Sequence, residues 1–259
     1  AKLILTDYPS FSLSYKNKYM GLANVTIASI LFNYRISEKK APIFLTLINR
    51  SVNNIPDTRL IKNNDGSIDY QKISYFSQNE TGFALTTSYP FKNIILGLTI
   101  KPYYTKILDY KAFGIASDLG VQKNYIKKKV EIGLKVENFF SVNYWDTGRI
   151  ENNFPYLMTN MQINLASLLI GFEFGSYLDN YNKINYHFGS EYIHNNILFL
   201  RCGLSDNFFS SGIGIKINSF KIDYALLKSI RANPFLNSHI ISLGINFDDI
   251  NSLKGKISP

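Results

Sequence analysis

The 259 residues predict an all-β fold of about 14 antiparallel strands, and three observations carry that prediction. Apolar side chains recur at every second position along most of the chain. No stretch shows a convincing period of 3.6. The connections between the periodic segments alternate between tight and long. Successive side chains of a strand point to opposite faces, so each segment has one apolar face and one small or polar face.

Taken in order, the expected strands are 9–19, 23–36, 42–51, 80–90, 93–106, 110–122, 127–138, 156–165, 167–177, 183–193, 196–204, 208–217, 219–228 and 237–247. Tyr8, Phe11, Tyr15 and Tyr19 surround the first. The second slips phase near Ala28-Ser29, and it and the third are the least regular. Ile94, Leu96, Leu98 and Ile100 form a clean apolar row in the fifth, and Phe113, Ile115, Leu119 and Val121 do so in the sixth. Val130, Ile132, Leu134 and Val136 alternate with Glu131, Gly133, Lys135 and Glu137 in the seventh. Further along, Ile184, Tyr186, Phe188 and Tyr192 alternate with Asn185, His187, Gly189 and Glu191. Ile213, Ile215 and Ile217 alternate with Gly212, Gly214 and Lys216, and the last strand reads His239-Ile241-Leu243-Ile245-Phe247 on its apolar face.

Composition narrows the choice. The chain is 46% hydrophobic and 15% aromatic, too apolar for a disordered segment. The single cysteine, Cys202, cannot build a disulfide framework and is expected as an inert buried thiol. Asn160, Gln162 and Asn164 interrupt the longest uncharged stretch, so no helical membrane span is expected. The start at Ala1 fits a mature exported product. The formal charge of +9 would suit a nucleic acid, yet the lysines scatter over turns such as Lys39-Lys40 and Lys127-Lys128-Lys129, and no nucleic-acid partner is expected.

Two all-β architectures compete. A soluble sandwich buries its apolar faces against one another. A transmembrane barrel turns them to lipid and keeps a polar lumen. The polar face mixes Gly, Ser, Thr and Asn with Glu and Lys, as a crowded wet lumen requires. Connections after even strands are tight, as at Phe91-Lys92, Ala166 and Asn218, whereas 52–79, 139–155 and 229–236 are long. Outer-membrane barrels sort their loops in this way, and a sandwich has no reason to. The expectation is a transmembrane β-barrel over 1–247 with both termini periplasmic and a short periplasmic tail at 248–259.

Several segments then resemble one family. Phe113-Gly114-Ile115-Ala116-Ser117-Asp118-Leu119-Gly120-Val121 resembles a strand of the PorV/PorQ-like outer-membrane proteins, relatives of the FadL-type fatty-acid transporters. Val136-Glu137-Asn138 with Trp145-Asp146-Thr147-Gly148, Glu151 and Pro155 is similar to a loop of that family. Gly212-Ile213-Gly214-Ile215-Lys216 with Phe220-Lys221-Ile222-Asp223-Tyr224-Ala225 resembles its penultimate hairpin, and Asn237–Leu243 its closing strand. The resemblance covers most of the chain from about residue 80 onward. It implies a 14-stranded barrel that passes small hydrophobic molecules, or alternatively a barrel subunit of an envelope assembly such as type IX secretion. The family's "NPAGL"-like plug motif is absent from these residues, which puts plug-gated transport in doubt.

The candidate lumen-lining residues are Lys101, Asp118, Glu131, Lys135, Glu137, Glu173, His187, Glu191, Arg201, Lys216, Lys221 and Asp223. They can set selectivity at a constriction, or brace and fill the interior through cross-strand pairs. The pairs considered are Glu131 with Lys135, Glu173 with Glu191, and Arg201 with Lys216. Trp145, the only tryptophan, can cap the pore from its loop or anchor at the membrane interface. Loop 52–79 carries Asn63-Asn64-Asp65-Gly66, a turn signal that lacks the ligand spacing of a calcium loop. His187, His194 and His239 form no catalytic or metal-binding constellation with their neighbours. The reading is a non-enzymatic barrel without a cofactor, whose partners are outer-membrane lipid and, as a possibility, proteins of the outer membrane or periplasm.

Overall fold

The computed structural model describes residues 10–36, 39–63, 65–126, 129–230 and 237–247. Fourteen strands run through them: β1 (Ser10–Lys18), β2 (Ala23–Ile36), β3 (Lys39–Asp57), β4 (Ser74–Phe91), β5 (Ile94–Ile107), β6 (Tyr110–Tyr125), β7 (Val130–Trp145), β8 (Tyr156–Leu165), β9 (Leu168–Tyr177), β10 (Asn180–His194), β11 (Leu198–Ser205), β12 (Phe208–Ile217), β13 (Phe220–Ser229) and β14 (Ser238–Asn246). Each pairs antiparallel with the next in sequence. β1 also pairs with β14, from Ser10↔Asn246 to Lys18↔Ser238, which closes the sheet. A two-residue extension, Ile150–Glu151, adds to the end of β7. Closure matters because it leaves no edge of unpaired amides, which hydrocarbon would not tolerate.

The alternation has a fixed sense. On β6, Ala112, Ala116, Asp118 and Gln122 are buried on the inner face, while Phe113, Leu119 and Tyr125 stand exposed on the outer one. Every other strand repeats this order, and the apolar exterior is the face for lipid. On β6 the outward Lys111 and Lys123 bracket the apolar band. The separation of about 12 residues, at ~3.3 Å each and a ~45° tilt, spans roughly 28 Å, the thickness of a hydrocarbon core. No helix among the described residues is long and apolar enough to cross a membrane; the strands do so.

Glycines occupy the inner wall because bulky lumen side chains lie flat across it. The Tyr103 ring covers Gly114, its register partner, and Asp223 lies over Gly214. A Cβ at either glycine would collide with those side chains.

Three departures from the sequence reading have clear causes. First, β3 and β4 are longer than 42–51 and 80–90. Beyond an irregularity between Val52 and Ile55 they continue to pair, through Asp57↔Ser74, so the connection shrinks from 52–79 to 58–73. Second, β7 runs on to Trp145 rather than ending at 138. A bulge around Asn138 (φ 52°) shifts its register with β6 between Ser117 and Leu119, and Phe139-Phe140 mask the resumed alternation. The connection to β8 is therefore 146–155. Third, β2 keeps unbroken register with β1 from Ala23 to Leu31. Its apparent phase slip reflects an inner face that is itself partly apolar, with Val25, Ile27 and Leu31 on it. The expected tail at 248–259, residues before Ser10, and Lys127 and Lys128 lie outside the described residues.

Candidate functional site

Strand parity brings all twelve ionisable candidates to the inner face, where they form clusters rather than a ladder. Lys101 on β5 pairs with Asp118 on β6 at 2.6 Å. Lys135 on β7 joins from the other side, 3.6 Å from Asp118 and 2.5 Å from Glu137. The bulge completes this cluster. It turns Asn138 inward, so that its amide oxygen accepts from Lys101 Nζ at 3.0 Å and its backbone N–H donates to Asp118 at 3.0 Å. On the opposite arc, Arg201 on β11 bridges Glu191 on β10 and Asp223 on β13. Phe199 lies beneath: Lys221 Nζ sits 4.0 Å from its ring centre and the Arg201 guanidinium 5.6 Å.

The expected pairings are corrected by this geometry. Glu131 is not bridged to Lys135, four residues along the same strand; it accepts from Gln122 Nε2 at 3.1 Å and Asn164 Nδ2 at 3.3 Å. Glu173 meets His187, its register partner, at 3.2 Å rather than Glu191. Arg201 chooses carboxylates, not Lys216, which has the same charge. Cys202 is exposed on the outer face rather than buried in a core, with its sulfur 3.1 Å from Ser190 Oγ. His239 is on the outer face as well, and its Nδ1 lies 2.8 Å from Tyr224 Oη.

Among the described residues, three chambers stand out along the inner wall. Nearest the longer connections, one of about 560 Å³ is bordered by Lys18, Arg50, Glu80, Lys101, Tyr103 and Asn153. A second, about 350 Å³, is bordered by Thr99, Asp118, Gln122, Glu131, Asn160 and Glu173. The third, about 800 Å³, is bordered by Lys16, Leu169, His187, Glu191, Arg201 and Leu227. The second and third share Gln162 and Gly171. The first and second meet at the Lys101–Asp118 pair, which therefore acts as a partition. Cations outnumber carboxylates in the first chamber, and the reverse holds in the second.

The connection 146–155 folds back onto this wall. Trp145 Nε1 donates to Glu151 at 2.8 Å, and Asn153 Nδ2 donates to Ser141 Oγ at 3.0 Å. Trp145 is thus tied to its own loop. Sequence reasoning missed Lys16, Arg50, Glu80, Asn138 and Asn153. The first three follow from parity within the expected strands 9–19, 42–51 and 80–90; the last two depend on a bulge and a loop that parity does not describe.

The loop between β3 and β4 is ordered by its own polar groups. Arg59 forks onto Asp57, with Nη2 at 2.6 Å, and holds that carboxyl down to about 2. Asp65 accepts from Ser67 Oγ at 2.6 Å and Ser67 N at 2.9 Å, and these bonds hold it below the usual carboxylate range.

The sequence matches no known family profile and no curated protein. Among solved structures, the toluene transporter TodX of Pseudomonas putida superposes with a TM-score of 0.64 at 10% identity, covering 95% of this chain and 92% of TodX. The outer membrane protein Omp33 of Acinetobacter baumannii gives 0.51 at 8% identity, covering 93% and 98%. This is an outer-membrane barrel fold. The likeness concerns the fold alone, and the apolar exterior agrees with it: the chain belongs in a bacterial outer membrane.

Proposed function

We propose that this barrel is a passive conduit for small molecules across the outer membrane. The observation that carries the reading is the run of three inner chambers, which among the described residues are separated by side chains and walled in part by glycines and short polar residues. Their lining suits solutes that carry polar groups: carboxylates, amides and ammonium groups stand among apolar side chains such as Val25, Ile48, Leu169 and Leu227. A pure hydrocarbon would desolvate these groups without replacing their hydrogen bonds. The finer kinship with FadL-type and PorV-like proteins, and with it a hydrophobic cargo, rests on the sequence resemblance.

A second reading, a sealed barrel that serves an envelope assembly such as type IX secretion, draws support from the protruding β3–β4 loop. Leu60 and Tyr70 are 78% and 72% exposed there, and Tyr75, at the start of β4 beside the loop, is 68% exposed. Planar-bilayer recording and liposome swelling with sugars and amino acids decide between them. Discrete conductance steps and solute-dependent swelling are expected. A silent barrel that co-purifies with a stoichiometric partner would overturn the conduit.

A further inference from the structure

The outer wall carries a feature that the lumen does not explain. Between β4 and β7, near the short connections, lies an apolar groove of about 410 Å³. Tyr89, Leu96, Val121 and Leu134 form one row across the four strands in continuous register, and the register pair Leu98 and Leu119 lines the groove beside it. Val121 is the smallest side chain of its row, so the row dips at its centre.

Two ammonium groups border this groove at the short-connection rim. Lys123 is two residues beyond Val121 on the same outer face, with Nζ 4.9 Å from the Tyr125 ring centre. Lys92, in the β4–β5 turn, holds Nζ 5.6 Å from the ring centre of Phe91. The aromatic rings seat both charges on the outside of the barrel rather than over the lumen. Among the described residues no carboxylate pairs with either. A concave apolar track that ends in two unpaired cations matches one kind of molecule: an acyl chain continuous with a phosphate.

We infer that the β4–β7 face is a binding site for a phospholipid with an anionic headgroup, its acyl chain in the groove and its phosphate between Lys92 and Lys123. All of the exterior meets lipid, but here concavity and charge coincide. The outward pair Lys106 and Lys111, neighbours in register at the opposite rim, supplies charge without the groove and serves as a control.

The test is native mass spectrometry of the intact barrel released from micelles that contain equal phosphatidylglycerol and phosphatidylcholine. Phosphatidylglycerol adducts should exceed phosphatidylcholine adducts on the order of ten-fold, since each lysine near a membrane surface favours anionic lipid. The K92Q/K123Q variant should bring the two to parity, and V121W should reduce both by filling the groove. K106Q/K111Q should leave the preference unchanged. Heat-modifiable gel migration verifies that each variant is folded. Parity in the unmodified protein, a preference that survives K92Q/K123Q, or equal loss in K106Q/K111Q would overturn the site. None of these outcomes depends on whether the lumen conducts.

Discussion

Gly214 shows how a single residue controls the lumen. It is the register partner of Asp223, and a Cβ there would collide with the carboxylate and approach Arg201 Nη1 to 3.2 Å. Gly214→Val should therefore break the Arg201–Asp223 bond and destabilise the barrel by about 1–3 kcal/mol, the cost of losing a hydrogen bond to a charged group. Gly171→Val is the matched control, because nothing lies within 4 Å of its would-be Cβ, and it should cost less. Urea unfolding followed by heat-modifiable migration measures both. A second residue-scale prediction concerns backbone strain. Ala166 opens the tight β8–β9 turn at φ 46°, the left-handed region that disfavours a Cβ. Ala166→Gly should raise stability by up to about 1 kcal/mol in the same assay, relief of strain outweighing the greater freedom of the unfolded chain.

At the scale of elements, the loop between β3 and β4 is a small folded unit rather than a slack connection. Lys62 and Ile68 form a bridge, Asn63 N donates to Ser67 O at 2.9 Å, and Lys72 Nζ donates to Asn63 Oδ1 at 2.5 Å. The Asp57–Arg59 fork closes its start. Because Asp57 has its carboxyl pKa lowered to about 2, the fork contributes fully above about pH 4, the unfolded value, and fades as pH falls through about 2. A carboxyl NMR titration of the barrel in detergent should show Asp57 protonating near that lower value. Asp57→Asn should speed tryptic cleavage after Arg59 at neutral pH several-fold, by releasing the guanidinium and loosening the segment. Unchanged cleavage would mean that the Asp65 and Asp69 bonds suffice.

For the whole molecule, the partition and the folded-back loop have separable consequences if the barrel conducts. Lys101→Ala removes the closest cation from Asp118 and leaves Lys135 at 3.6 Å, so the carboxylate dominates the passage between the first two chambers. Its reversal potential in a potassium chloride gradient should shift toward cation preference. Excision of residues 147–153 removes Asn153 from Ser141 and frees Trp145 from Glu151, which should raise single-channel conductance by roughly two-fold. Conductance unchanged by the excision would mean that this loop lies beside the path.

What is legible in the sequence follows from periodicity. A period of two is a one-dimensional property, so the sequence alone determined the all-β class, the strand number and the inward orientation of residues such as Asp118, Arg201 and Asp223. The alternation of short and long connections likewise pointed to a barrel rather than a sandwich. Periodicity carries no information about register between strands, and register decides who meets whom. That is why Glu191 and Asp223 rather than Lys216 are found on Arg201, and why Glu173 is found opposite His187. The bulge at Asn138 interrupts the period and so looks in the sequence like the end of a strand, whereas it supplies an amide to the Lys101–Asp118 partition. The chambers take shape only once 14 strands close on themselves, and the outer groove and the two lysines beside it come together only once β4 to β7 pair in register, since each is bordered by residues that the chain separates and the sheet brings together.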